Sequence, residues 1–316
     1  MTVAIPFAPM PAEQNPNVKR SSSTDVYFCA AFVAFASFRR WNPETDLVLV
    51  TNSTPSPRWI SEFANIGVSV RFEPFDHLPP TGFSDRFLGS LYLLDALRLD
   101  AEYLLLVDPD VLCVDTVAPL LMHHDAVSAI SIPSPPTVAI NGLRPRDAQR
   151  ILGRLDVDQY AAINTPRHLG GELYGIPRSR IAEVRNRVEI AWSEALRAWA
   201  AGEPHFRTEE HVMTYALAGV PVHEASDHVR RIWTAHSHRT VYGDEDTLSI
   251  WHLPSEKDRG FKRLYKAAAN PQSWFWQGER RTFVDTSARL LGVRRRHPLR
   301  LILDAVAHAL RSLRSA

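Results

Sequence analysis

Residues 101–115 read AEYLLLVDPDVLCVD. Leucine and valine run unbroken from Leu104 to Val107, as in a strand buried on both faces of a sheet. The run stops at Asp108-Pro109-Asp110, and apolar residues then resume. Proline between two carboxylates ends a strand and turns the chain tightly. In open sheets of parallel strands, ligands bind at the carboxyl ends of the strands, and both aspartates stand at such an end.

Outward from this stretch, strands and helices alternate. VYFCAAF (26–32) reads as a short buried strand, with VAFASFRRW (33–41) continuing as helix into Asn42-Pro43. DLVLVTN (46–52) and VSVRFEPF (68–75) read as strands. Between them Trp59, Ile60, Phe63 and Ile66 recur at helical spacing, and Gly67 stops that helix. Residues 84–98 read as a helix, with Ser84 as N-cap and Asp85 in its first turn. Strand–helix–strand units of this length predict an α/β fold with a mainly parallel sheet flanked by helices. Beyond Asp115, strands are expected at 126–133, at HLGGELYGIP (168–177), at VPVHEA and at TLSIWHL (247–253). Helices are expected at 178–200, where Ile181, Val184, Val188, Trp192 and Ala195 share a face, and at 208–218.

The chain has 316 residues and a formal net charge of +1, with 45% hydrophobic and 22% charged residues. That balance is globular and gives the whole chain no polyanion-binding character. Cys29 and Cys113 lie in apolar runs without CxxC or Cys/His spacing, which points to buried free thiols and a cytoplasmic protein. Residues 1–24, rich in Pro and Ser, lack the order of a leader peptide and lack a membrane span; they are expected to form a flexible tail. The body is expected over 25–278, divided into halves at 25–115 and 116–278. A C-terminal region is expected over 279–316, within which residues 280–316 hold nine arginines against Asp285 and Asp304. Leu299, Ile302, Val306, Leu310 and Leu313 lie on one helical face there. A basic amphipathic C-terminal helix is expected, suited to peripheral contact with an anionic membrane through 294–314 or to docking on its own domain. The arginine and alanine bias points to a bacterial source. Basic residues confined to this tail, without interleaved aromatics, argue against a nucleic-acid partner.

Two carboxylates spaced D-x-D on a tight turn can face one point. Mg²⁺ and Mn²⁺ take oxygen ligands and share their shell with phosphate. The motif therefore suits a metal–diphosphate complex, in which the ion offsets charge on a departing diphosphate.

The order strand, helix, strand ending in VTN, strand, helix, then LLLVDPDVLCVD resembles the nucleotide-sugar glycosyltransferases of the GT-A fold, most nearly glycosyltransferase family eight. HLGGELYGIP at 168–177 and WHLPSEKDRGFKRLY at 251–265 follow in the family's order, so the resemblance covers roughly 25–266. It implies a GT-A, Rossmann-like domain with a nucleotide-binding half (25–115) and an acceptor-side half (116–278). The implied activity is metal-dependent transfer of a hexosyl group from a nucleotide sugar, UDP-linked as first expectation, to a saccharide, glycolipid or small-molecule acceptor. It implies Mn²⁺ or Mg²⁺ on Asp108, Asp110 and His252. Lys257 or Lys262 would meet the diphosphate, and Arg86 would reach the donor phosphates. Ala30, Ala31 and Phe32, with Thr51 and Asn52, would flank the base, and Gly170, Gly171 and Glu172 would line the sugar and acceptor side. The chain departs from the family where GGEL replaces an Asn-Ser-Gly-type signature and where Glu209-Glu210 stands for an Asp-Gln pair.

Simpler readings stand beside these. Glu209 and Glu210 suit the first turn of their helix; alternatively, one of them faces the transferred sugar and stabilises its developing positive charge. His252 in an apolar run can be a core histidine. Two other functions fit part of the sequence. One is a phosphatase of the haloacid dehalogenase type, whose nucleophile would be the first aspartate of DPDVL. About three strands precede the motif here, and Asp244-x-Asp246 matches that class's later acidic motif poorly. The other is a catalytically inactive nucleotide-sugar-binding protein.

Overall fold

The computed structural model describes residues 1–10, 23–84, 87–133, 138–155, 167–235 and 238–293. The chain divides into two compact units, each assembled from separated segments. The first comprises residues 1–21, 45–108 and 118–226, and the second residues 22–44, 109–117 and 227–316. The chain leaves the first unit after Asp108 and returns to it at Ala118.

The first unit is built on a seven-stranded sheet in the order β3-β2-β1-β4-β7-β6-β8. Its strands are β1 (Thr2–Phe7), β2 (Asp46–Thr51), β3 (Val68–Phe72), β4 (Tyr103–Val107), β6 (Val127–Ser131), β7 (Leu169–Pro177) and β8 (Val222–Glu224). The pairs β1–β2, β1–β4, β2–β3 and β6–β8 are parallel, and β7 lies antiparallel to both β4 and β6. The sheet is thus mainly parallel, as the alternating pattern predicts.

Residues 2–7 are not part of a tail. They form β1, hydrogen-bonded between β2 and β4. Pro6 disguises this strand, because a proline cannot donate to a ladder. It is tolerated here because β4 pairs only with Thr2–Ala4, so Pro6 lies beyond that pairing.

Helices α2 (Pro57–Asn65), α3 (Pro145–Leu155), α4 (Arg178–Ala200) and α5 (Glu209–Ala216) belong to this unit. Trp59 and Phe63 form the buried face of α2, and Val184, Val188, Ala191, Trp192 and Ala195 that of α4. The expected helix at 84–98 is instead two short 3₁₀ segments, Leu88–Leu93 and Asp95–Arg98. Phe87, with φ 57°, precedes them in the left-handed region, and a bulky residue there prevents a helix from running in from Ser84.

All nine residues of β7 are buried. An added Cβ at Gly175 would collide with the Tyr103 hydroxyl, which is held by the Leu120 carbonyl at 3.0 Å and Ser128 Oγ at 3.1 Å. Gly175→Ala is expected to cost about 1–3 kcal/mol, as overpacked cores do, read as a lower urea midpoint. An unchanged midpoint would show that Tyr103 yields freely.

The second unit holds a three-stranded sheet, β5 (Val111–Cys113), β10 (Ile250–His252) and β9 (Val229–Arg231), in that order. It also holds α1 (Ser23–Trp41), α6 (Lys262–Ala268), α7 (Trp274–Gln277) and α8 (Arg280–Leu290). The expected strand at 26–32 is the body of α1. From Phe28 to Phe38 every residue is buried and all but Ser37 are apolar, so no face shows a period, and a buried helix then looks like a buried strand. Ser37 on α1 accepts the Cys113 N–H at 3.0 Å. The Arg40 guanidinium lies 4.6 Å from the Trp41 ring and 4.7 Å from that of Phe283. Both cysteines are buried free thiols. Among the described residues, no helix is long and apolar enough to cross a membrane. The expected basic helix at 294–314 lies outside the described residues.

Candidate active site

The first unit gathers carboxylates at one end of β7. Gly170, Gly171 and Glu172 open that strand, and Asp108 closes β4 beside it, its N–H donating to the Glu172 carbonyl at 3.3 Å. The glycines are needed for space. A Cβ at Gly170 would strike the Glu172 carboxylate, and one at Gly171 would lie 2.8 Å from Glu209 Oε1. Glu209 and Glu210 occupy the first turn of α5 and are both buried.

The two neighbours have different surroundings. Glu210 is held by three donors: the Gly171 N–H at 3.1 Å, Asn141 Nδ2 at 2.7 Å and the His168 ring at 3.1 Å. Such charge-assisted bonds favour the carboxylate form. Glu209 Oε2 meets Ser90 Oγ, which also lies 2.7 Å from the Phe87 carbonyl. A serine hydroxyl has one proton for these two oxygens, so a proton on Glu209 satisfies both. Burial, and then the charge of Glu210, push the Glu209 carboxyl up to about 8. Burial likewise raises the Tyr174 phenol well above its usual range, helped by Glu210, Glu209, Glu172 and Asp108. His211 accepts the Arg207 N–H at Nδ1 (3.1 Å), and its Nε2 faces the Ile140 carbonyl (3.0 Å), which makes it neutral. Burial lowers its pKa to about 4. The pair is therefore one neutral acid and one anchored carboxylate, a separation of roles typical of acid–base and charge-stabilising sites.

The second unit carries Asp110. Strand β5 begins at the next residue and pairs antiparallel with β10, with Val111 opposite His252, Leu112 opposite Trp251 and Cys113 opposite Ile250. The Leu253 N–H donates to the Asp110 carbonyl at 3.0 Å, extending this ladder. That register brings His252 Nε2 to 3.4 Å from Asp110 Oδ2. The same oxygen is ion-paired with Lys257 Nζ. Burial alone would push the Asp110 carboxyl up, but the Lys257 ammonium and His252 outweigh it and hold it well below the usual range.

Asp108 precedes Asp110 by one proline. Within this unit Asp110 Oδ2 and His252 Nε2 stand 3.4 Å apart, and a carboxylate with an imidazole suits Mn²⁺ or Mg²⁺.

Other expected site residues are more scattered. Thr51 is buried at the end of β2, its hydroxyl donating to the Ser53 carbonyl at 3.2 Å, and Asn52 follows it. Ala30, Ala31 and Phe32 lie buried inside α1, not at a strand end, and Phe32 packs edge-on against Tyr265. Lys262 is exposed, 3.9 Å from Asp258. Arg86 lies outside the described residues. Ser90, Asn141, His168 and Tyr174 join the cluster without having been expected there. Only Asn141 had a local signal. Asn141-Gly142 between Ile140 and Leu143 is a tight-turn dipeptide, and both residues take positive φ.

No protein-family model and no curated protein matches the sequence. Solved structures do match. The galactosyltransferase LgtC in complex with donor and acceptor sugar analogues aligns with TM-score 0.51 at 12% identity, over 87% of this chain and 99% of that one. An active-site mutant of LgtC aligns with TM-score 0.52 at 12% identity, over the same shares. The bifunctional glycosyltransferase WbbM aligns with TM-score 0.49 at 13% identity over 79% of this chain, which spans about 45% of the WbbM chain. The fold is therefore the GT-A fold, a seven-stranded mixed sheet flanked by helices, shared with the LgtC structures at low identity.

Proposed function

We propose that this chain is a metal-dependent glycosyltransferase. It moves a hexosyl group from a nucleotide sugar, UDP-linked as first expectation, to a saccharide, glycolipid or small-molecule hydroxyl. The observation that carries this reading is the meeting of Asp110 and His252 at 3.4 Å, just after the D-x-D turn that follows β4 of a GT-A sheet. Asp108, Asp110 and His252 would hold Mn²⁺ or Mg²⁺. A divalent ion bound there supplies positive charge to the oxygens of the leaving diphosphate. Glu210, fixed by three donors, presents a carboxylate that does not reorient as charge develops. Glu209, its proton engaged by Ser90 Oγ, stays uncharged and offers its other oxygen to a sugar or acceptor hydroxyl. The β7 glycines leave room for the Glu172 and Glu209 carboxylates that pack beside them. The fold shared with glycosyltransferases does not favour the phosphatase alternative.

Isothermal titration calorimetry of UDP and GDP, with Mn²⁺ and with EDTA, tests the reading on wild type and on Asp110→Ala. UDP should bind only with Mn²⁺, and Asp110→Ala should lose that binding. Absence of nucleotide binding under both conditions in the wild type would refute the proposal.

A further inference from the structure

We propose that Lys257 is a built-in counter-cation for Asp110 that makes cation binding conditional on the diphosphate. The inference rests on Asp110 and His252 as cation ligands and adds to that reading the order in which the site fills.

The lysine is placed by its backbone. It opens a single π-helical turn, Lys257–Phe261, a local irregularity that recurs at functional sites. Gly260 lies in this turn close to two side chains, where a Cβ would be 2.7 Å from Leu291 and 2.8 Å from the Glu256 carboxylate. The Lys257 side chain is 6% exposed, its ammonium ion-paired with Asp110 and 5.6 Å from the centre of the Tyr27 ring. Asp110 Oδ2 therefore serves two nitrogens, Lys257 Nζ and His252 Nε2.

A divalent ion seated on Asp110 and His252 would stand next to that ammonium in a poorly solvated place. Like charges repel strongly there, so the ion alone must displace the lysine from its carboxylate. A buried ammonium without a counter-ion is costly. A diphosphate removes the conflict, because its oxygens take the ammonium on a flexible four-carbon stem while the cation takes the carboxylate. Cation and diphosphate then bind with positive coupling, which must be reciprocal. A neutral residue at 257 should abolish the competition for Asp110 and, with it, most of the coupling.

The test measures Mn²⁺ binding to the full chain by calorimetry, first without nucleotide and then at saturating UDP. Lys257→Met keeps the length of the stem, and Lys257→Gln keeps a hydrogen bond to Asp110 should the methionine variant fold poorly. Wild type should bind Mn²⁺ alone weakly and about tenfold or more tightly with UDP. Either neutral variant should bind Mn²⁺ alone about tenfold more tightly than wild type and respond little to UDP. Lys257→Arg should retain the wild-type pattern. If wild type shows Mn²⁺-dependent UDP binding but the neutral variants bind Mn²⁺ alone no better, the counter-cation role is wrong and the metal reading stands. If neither Mn²⁺ alone nor Mn²⁺ with UDP binds to wild type, the metal reading fails and this inference fails with it.

Discussion

Asp110→Asn is expected to abolish Mn²⁺-dependent nucleotide binding and to destabilise the chain by about 3–5 kcal/mol. The second effect follows from burial. Lys257 and Asp110 are both nearly inaccessible, with side chains 6% and 1% exposed. Removing the carboxylate leaves an ammonium in a place where it is poorly solvated. The double variant Asp110→Asn/Lys257→Met should therefore recover most of the lost stability and none of the binding. Urea denaturation of wild type, both single variants and the double variant separates the two effects. Equal losses in Asp110→Asn and in the double variant would show that the ammonium finds another partner. The pH dependence has a definite sign. A carboxyl held well below its ordinary value of 3.8 contributes stability above that value and loses it as pH falls through the acid range.

Glu209→Gln is expected to change the pH dependence of stability in the opposite sense. The folded chain holds this carboxyl at about 8 against an ordinary value of 4.5. Between those values the folded state binds a proton that the unfolded state has released, so wild-type stability falls as pH rises through that window. Glutamine mimics the neutral acid and does not titrate. The variant should match wild type near pH 4 and exceed it by roughly 5 kcal/mol near pH 9. Parallel stability profiles from pH 4 to 9 would mean that Glu209 is ionised throughout. A transferase assay on the same variant separates charge from hydrogen bonding, since an amide still donates where the acid did.

Much of the fold is legible from local pattern. The all-apolar β4 ending in D-x-D, the amphipathic face of α4 and the Gly67 stop after α2 each carry a periodicity or a terminating residue that one segment supplies alone. Two of the misreadings have a common cause. α1 is buried on every side, so it shows no amphipathic period, and β1 contains a proline that only its position beyond the β4 pairing excuses. In both, the deciding fact is what surrounds the segment.

Local pattern carried the D-x-D turn at the end of a buried strand, the mainly parallel α/β architecture and the two buried free thiols. The partners of Asp110 came from long-range packing. Lys257 lies 147 residues from Asp110 in the chain, and no local rule ties one to the other. Their contact depends on the β5–β10 register and on the π-helical turn that follows. The same holds for Glu210, whose three donors come from residues 141, 168 and 171. A strand or helix is specified by the residues within it. A charged cluster depends on strand order and register, which are properties of the whole sheet.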